Sequence, residues 1–195
     1  SAFILLPAIA GLYAIGRPTI ALLFQHGRFL PEDTVRTFYA LGFYLIGMIG
    51  YGLVYLLTRA FYALRDTRTP VLIGTAAVAV NVVLDYALVG PLGVGGLALA
   101  TSVAGLVNML LLIHSLEQRL ERRLIRPLAG ELLKMALGAG LMGILTFLFY
   151  RWLTLSFDNQ FLLVGLPALF GLIIYYLLSR LGGFLGVVYE SWASD

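Results

Sequence analysis

Apolar residues follow one another along this chain in runs of roughly the 17–25 residues that cross a hydrocarbon layer, and the charged residues gather in the short stretches between them. The first run, Phe3–Ile15, is short and is closed by Gly16, Arg17 and Pro18. Thr19–Phe29, apolar and then polar at Gln25, His26, Gly27 and Arg28, suits a short interfacial helix. Pro31, Glu32, Asp33 and Thr34 supply helix-start signals. A second helix follows over about Val35–Leu64, long enough to project into water with Arg59 and Arg65, and Gly42, Gly47, Gly50 and Gly52 give it a close-packing face. After the polar break Arg65–Thr69, a third helix runs from Pro70 to about Val89, interrupted only by Asn81 and Asp85. The break Gly90–Gly93 makes it an antiparallel hairpin with a fourth helix, about Val94–Leu116. A charged connector, Glu117–Lys134, reads as a solvated amphipathic segment ahead of helices at about Met135–Leu155 and Phe161–Leu181.

The pattern predicts an all-α integral membrane protein of about six transmembrane helices. Composition agrees, since 61% of the residues are hydrophobic and 12% charged, about half the charge of a soluble domain. The formal net charge of +3 does not point to nucleic acid, because the basic residues are scattered through interhelical loops. They sort instead by side: Arg59, Arg65, Arg68, Arg119, Arg122, Arg123, Arg126, Lys134 and Arg180 fall on one, Arg17, Arg28, Arg36 and Arg151 on the other. The first side is cytoplasmic by the positive-inside rule, which puts Gly90–Gly93 outside. With no cysteine, disulfide frameworks, thiolate metal sites and cysteine nucleophiles are excluded. Ser1 opens inside an apolar run with neither an initiator Met nor a basic leader, so the chain reads as a piece of something longer.

Ionisable groups inside a span are costly and usually have a reason, which makes Asp85 the most informative residue. Asn81, four positions earlier, projects from the same helix face. At about 1.5 Å per residue, Asp85, Asn81 and Thr101 lie about 6, 12 and 10 Å from the Gly90–Gly93 turn. A carboxylate, an amide oxygen and a hydroxyl near one depth, with Gly95, Gly96, Ala98 and Ala100 allowing close approach, suit a hard cation such as sodium, or a proton. The competing reading is a buried Asn–Asp–Thr hydrogen-bond set that only joins two helices. His26 and His114 are too far apart for a shared metal and read as interfacial, as do Tyr150, Trp152 and Trp192. No paired-acid, nucleophile-elbow or phosphate-loop pattern stands in a supporting context.

Three motifs then carry a resemblance. FYALRDTRTP at Phe61–Pro70, GPLGVGGLALATS at Gly90–Ser102 and LLFQHGRF at Leu22–Phe29 resemble segments of the MurJ (MviN) lipid II flippase family of the multidrug/oligosaccharidyl-lipid/polysaccharide exporter superfamily. The resemblance implies a partial exporter-type fold corresponding to spans nine to fourteen. Residues 1–116 would be part of the C-terminal lobe, 117–134 a cytoplasmic connector and 135–195 two extra spans with a tail, these spans forming a groove for the lipid tail. It implies a bacterial inner-membrane transporter, not an enzyme, that flips the lipid-linked peptidoglycan precursor by alternating access. It also implies a sodium site built from Asn81, Asp85, Thr101 and the Leu97 carbonyl, with an acidic ligand from the seventh span, and with the substrate-binding arginines mostly in the N-terminal lobe and the eighth span, all outside this chain. Expected partners are that precursor, membrane lipids and the N-terminal lobe, and no cofactor is expected beyond sodium. Another exporter of the superfamily shares the fold and the cation coupling. An intramembrane lipid-processing enzyme calls for clustered acids or histidines that are absent from the sequence, and an assembly subunit needs no function for Asp85.

Overall fold

The computed structural model describes residues 2–121, 125–157 and 159–181. They form six helices: α1 (Ala2–Phe24), α2 (Pro31–Ala63), α3 (Arg68–Leu92), α4 (Val94–Leu120), α5 (Ile125–Leu153) and α6 (Gln160–Leu181). Each contains a stretch long and apolar enough to cross a membrane. Large apolar side chains face outward along them, among them Leu72, Val83, Leu137 and Leu172 at 66–69% exposure. In water such a surface would be an aggregation hazard, whereas in lipid it is the ordinary exterior.

Two expectations change. The sequence breaks at Gly16–Pro18 predict two short helices, yet α1 is continuous from Ala2 to Phe24 with Pro7 and Pro18 inside it. Pro18 removes a main-chain donor. That donor would have met the Ala14 carbonyl; in the same turn the Thr19 hydroxyl donates to the neighbouring Ile15 carbonyl at 2.6 Å. Helix also extends into the charged connector, with α4 running to Leu120 and α5 starting at Ile125. Arg122, Arg123 and the tail with Trp192 lie outside the described residues, as do the side chains of Arg126 and Glu131.

The chain divides into two compact units, residues 1–5 with 35–127 and residues 6–34 with 128–195. In the first, α2 and α4 meet backbone to backbone. A Cβ on Gly47 would stand 2.5 Å from the Ser102 Cα, and one on Gly50 would stand 3.1 Å from the Gly105 carbonyl carbon. Ser102, fully buried, donates to the Phe43 carbonyl across this seam at 2.7 Å. Of the other two glycines assigned to that face, Gly52 packs against Leu5 of α1 and Gly42 faces open space. Nearer the C-terminal ends of α2 and α4, Phe61, Leu112 and Leu116 form a buried apolar cluster with Val54, Leu57, Ala60 and Ile73 around it.

In the second unit, Gly143 of α5 packs on Ala10 of α1, and Gly171 of α6 packs on the Thr146 hydroxyl of α5. Phe149 and Phe170 stack between α5 and α6 with centroids 4.4 Å apart. The loop into α2 carries its own cap: Pro31 occupies the first helical position, and Asp33 Oδ2 accepts from the Leu30 amide at 2.9 Å, the returning half of a capping box.

Candidate cation site

α3 and α4 are joined by one residue. Gly93 has φ 56° and ψ −132° and closes α3 by donating its amide to the Val89 carbonyl, a left-handed backbone that favours glycine. The expected four-residue break is therefore helical almost throughout, Pro91 included. Next to it α3 and α4 touch closely, since a Cβ on Gly96 would stand 2.1 Å from the Leu88 carbonyl oxygen.

A one-residue turn resets the depths of the candidate residues. Asp85 and Thr101 sit eight residues to either side of Gly93 and Asn81 twelve before it, so Asp85 and Thr101 are level at about 12 Å from the turn, with Asn81 about one helical turn further in. Asn81, Asp85 and Thr101 are all half-buried. Asp85 Oδ1 and Asn81 Nδ2 are shut off from solvent and have no hydrogen-bond partner among the described residues. The Thr101 hydroxyl donates to the Leu97 carbonyl at 2.9 Å, within its own helix. Among the described residues, then, no hydrogen bond from Thr101 reaches Asn81 or Asp85.

This arrangement fits a hard monovalent cation. Asp85 offers a carboxylate oxygen with no competing donor, and the Thr101 hydroxyl oxygen keeps its lone pairs free; the Leu97 carbonyl already accepts the Thr101 hydroxyl and, as an α-helical carbonyl, the Thr101 amide, so it would have to give up one of them to hold an ion. Asn81 turns its nitrogen toward the buried position, but the two ends of an amide are nearly isosteric and interchange by a half-turn. The candidate histidines stand apart: His26 is exposed after α1, and the exposed His114 ring lies 3.1 Å from Gln118 Nε2, one turn along α4.

Three features do not stand out in the sequence. Tyr51 of α2 lies over Gly105, where a Cβ would stand 2.8 Å from its ring, and donates its hydroxyl to the Thr101 carbonyl at 3.2 Å. Asn108 on α4 has its Oδ1 buried without a partner; an amide seven residues past Thr101 inside an apolar run is the signal that could have found it. The third is a clasp at the far end of the hairpin. Asp66 Oδ1 accepts from the Arg68 and Thr69 amides at 3.0 and 3.1 Å, capping α3 in place of Thr67, whose side chain makes no cap bond. Asp66 Oδ2 lies 2.6 Å from Arg119 Nη2, a charge contact whose angle is not that of a hydrogen bond. Arg119 also donates to the Thr69 hydroxyl at 3.1 Å and lies over the Phe61 ring. Hydrogen bonds from Thr69, its side chain first and then its amide, hold the Asp66 carboxyl below the usual range; partial burial opposes this, and the Arg119 charge reinforces it.

Six long apolar helices with an acid and two amides held within their spans define a multi-pass helical membrane protein. Comparison with known proteins narrows the class. The family model for lipid II flippase MurJ matches residues 1–179, and the chain belongs to that family. It is 30% identical over 179 residues to the lipid II flippase MurJ of Thermosipho africanus, an alignment covering 92% of this chain and 35% of that protein. It is 34% identical over 157 residues to a probable lipid II flippase MurJ of Rhizobium meliloti, covering 80% and 29%. A solved structure of lipid II flippase MurJ in an inward closed conformation matches with a TM-score of 0.77 and 29% identity, over 92% of this chain and 36% of that one. The chain thus spans about a third of the length of the relatives it matches.

Proposed function

We propose that this chain is the C-terminal part of a lipid II flippase of the bacterial inner membrane, which moves its lipid-linked substrate outward by alternating access and uses a sodium ion held by Asn81, Asp85, Thr101 and the Leu97 carbonyl. The observation that carries the cation reading is the Asp85 Oδ1 atom, buried in the span without a hydrogen-bond donor. A network serving only to join α3 and α4 would use that oxygen.

In this reading Asp85 supplies the negative charge, while Thr101 and Leu97 present two oxygens 2.9 Å apart from α4 and Asn81 completes the set from α3. Bound sodium would supply positive charge between the two helices. It can bias the transport cycle only by the difference in its affinity for two states, and that difference would arise if an acidic ligand on the seventh span, outside this chain, moves relative to the α3–α4 hairpin. The apolar outer faces of α5 and α6, with Leu137, Ile144, Leu172 and Ile173 exposed, are the surface proposed to meet the lipid tail. The connector side of the chain is cytoplasmic in this arrangement.

The test is equilibrium sodium binding to the full transporter, wild type against Asn81→Ala, Asp85→Asn and Thr101→Val. Loss of affinity in all three supports the site. Unchanged affinity in all three returns the cluster to a packing role.

A further inference from the structure

The oxygens on α3 and α4 do not stop at the candidate site. Measured from Gly93, Asp85 and Thr101 lie eight residues away, Asn81 twelve and Asn108 fifteen. At the helical rise this is about 12, 18 and 22 Å, successive steps of about 5 Å toward the ends of the hairpin that carry Asp66 and Arg119. Asn108 follows Thr101 by seven residues and Leu97 by eleven, which puts all three on one stripe of α4. That stripe differs from the one facing α2, where Ala98, Ser102, Gly105, Leu112 and Leu116 are buried. Asn108 Oδ1 is an acceptor, shut off from solvent and without a donor. An amide inside a span ordinarily finds a partner on a neighbouring helix, because an unsatisfied polar group there costs free energy.

We propose that Asn108 is a second binding station for the cation, an oxygen the ion meets between the Asp85 site and the Arg119 end of the hairpin. The proposal rests on the sodium reading above and extends it from a site to a route. Asn108 is about 10 Å from Thr101 along α4, too far to share one ion with it, so it acts on the ion in transit. A neutral amide suits a transit station: it replaces part of the hydration shell without the charge that would trap the ion.

The experiment separates rate from affinity in the full transporter reconstituted in proteoliposomes. Equilibrium sodium affinity and the rate of radiolabelled sodium release are measured for wild type, Asp85→Asn, Asn108→Leu and Asn108→Ser, with thermal midpoints in sodium-free buffer identifying any variant that fails to fold. Asn108→Leu should slow release about tenfold, the effect of taking one polar ligand out of a dry path, with equilibrium affinity unchanged, and Asn108→Ser should recover part of the rate. Unchanged release in a folded Asn108→Leu protein overturns the station and leaves the sodium site standing. Affinity reduced as fully as in Asp85→Asn also overturns it, by making Asn108 a ligand of the first site. Sodium binding indifferent to Asp85→Asn removes the underlying site and this proposal with it.

Discussion

Two aspartates, one just before α3 and one inside it, are treated in opposite ways. At its start, Asp66 has one oxygen on two main-chain amides and the other on an arginine, so its charge is used up by local structure. Within the span, Asp85 keeps an oxygen buried and unbonded, where an unmet charge is most expensive. The contrast is between an acid that closes a helix and one whose buried oxygen is left without a partner, the property on which the proposed cation site rests.

The contrast breaks most visibly at Asp85. Asp85→Asn should weaken sodium binding in the full transporter by about 100-fold, equivalent to roughly 3 kcal/mol, with a melting midpoint in sodium-free buffer at or above that of the wild type, because the unmet charge is gone; titration calorimetry reads the first and thermal unfolding the second. A packing lesion sharpens the comparison. Gly47→Val would drive a side chain into the Ser102 backbone, where even a Cβ stands 2.5 Å from the Cα, and should cost about 1–3 kcal/mol of stability, seen as a lower midpoint whether or not sodium is present.

Asp66→Asn should do the reverse of Asp85→Asn, lowering the midpoint by a few degrees while leaving sodium affinity unchanged. Its pH signature follows from the lowered pKa. A carboxyl whose folded value lies below its unfolded value of about 4 contributes fully above that value, and the contribution disappears as pH falls through the lower folded one. The stability gap between wild type and Asp66→Asn should therefore be constant near neutrality and close in acid. The smallest effect belongs to Tyr51→Phe, which removes one long hydrogen bond to the Thr101 carbonyl, worth about 1 kcal/mol or less, and should shift sodium affinity only a few-fold.

Hydropathy and turn residues are enough to read six helices, the α3–α4 hairpin and the Asn81–Asp85 pair, because long apolar runs and an acid among valines are strong local signals. Sequence and structure part where a local signal is outweighed. Gly16, Arg17 and Pro18 read as a stop, but α1 continues through them within the surrounding apolar run. Four residues around Gly93 read as a turn, yet only Gly93 leaves the helix. Asp66 is legible as a polar break and not as a cap, since its partner Arg119 is 53 positions away and its role depends on tertiary packing. Asn108 is visible in the sequence as an amide in an apolar run seven residues past Thr101, but what sets it apart, an oxygen buried without a partner, is a property of the folded chain.

The single-residue turn at Gly93 has a mechanical consequence. With no slack between them, α3 and α4 cannot slide lengthwise past each other; they can only splay like tweezers from the Gly93 end. A splay of about 10° would part the helices by about 2 Å at the level of Asp85 and Thr101 and by about 6 Å at the far tips, roughly 37 Å away. Those tips are where Arg119 grips Asp66 and Thr69. The pair is therefore a frame fastened covalently at one end and ionically at the other, and widening its middle requires either bowing both helices or letting go of the ionic fastening first.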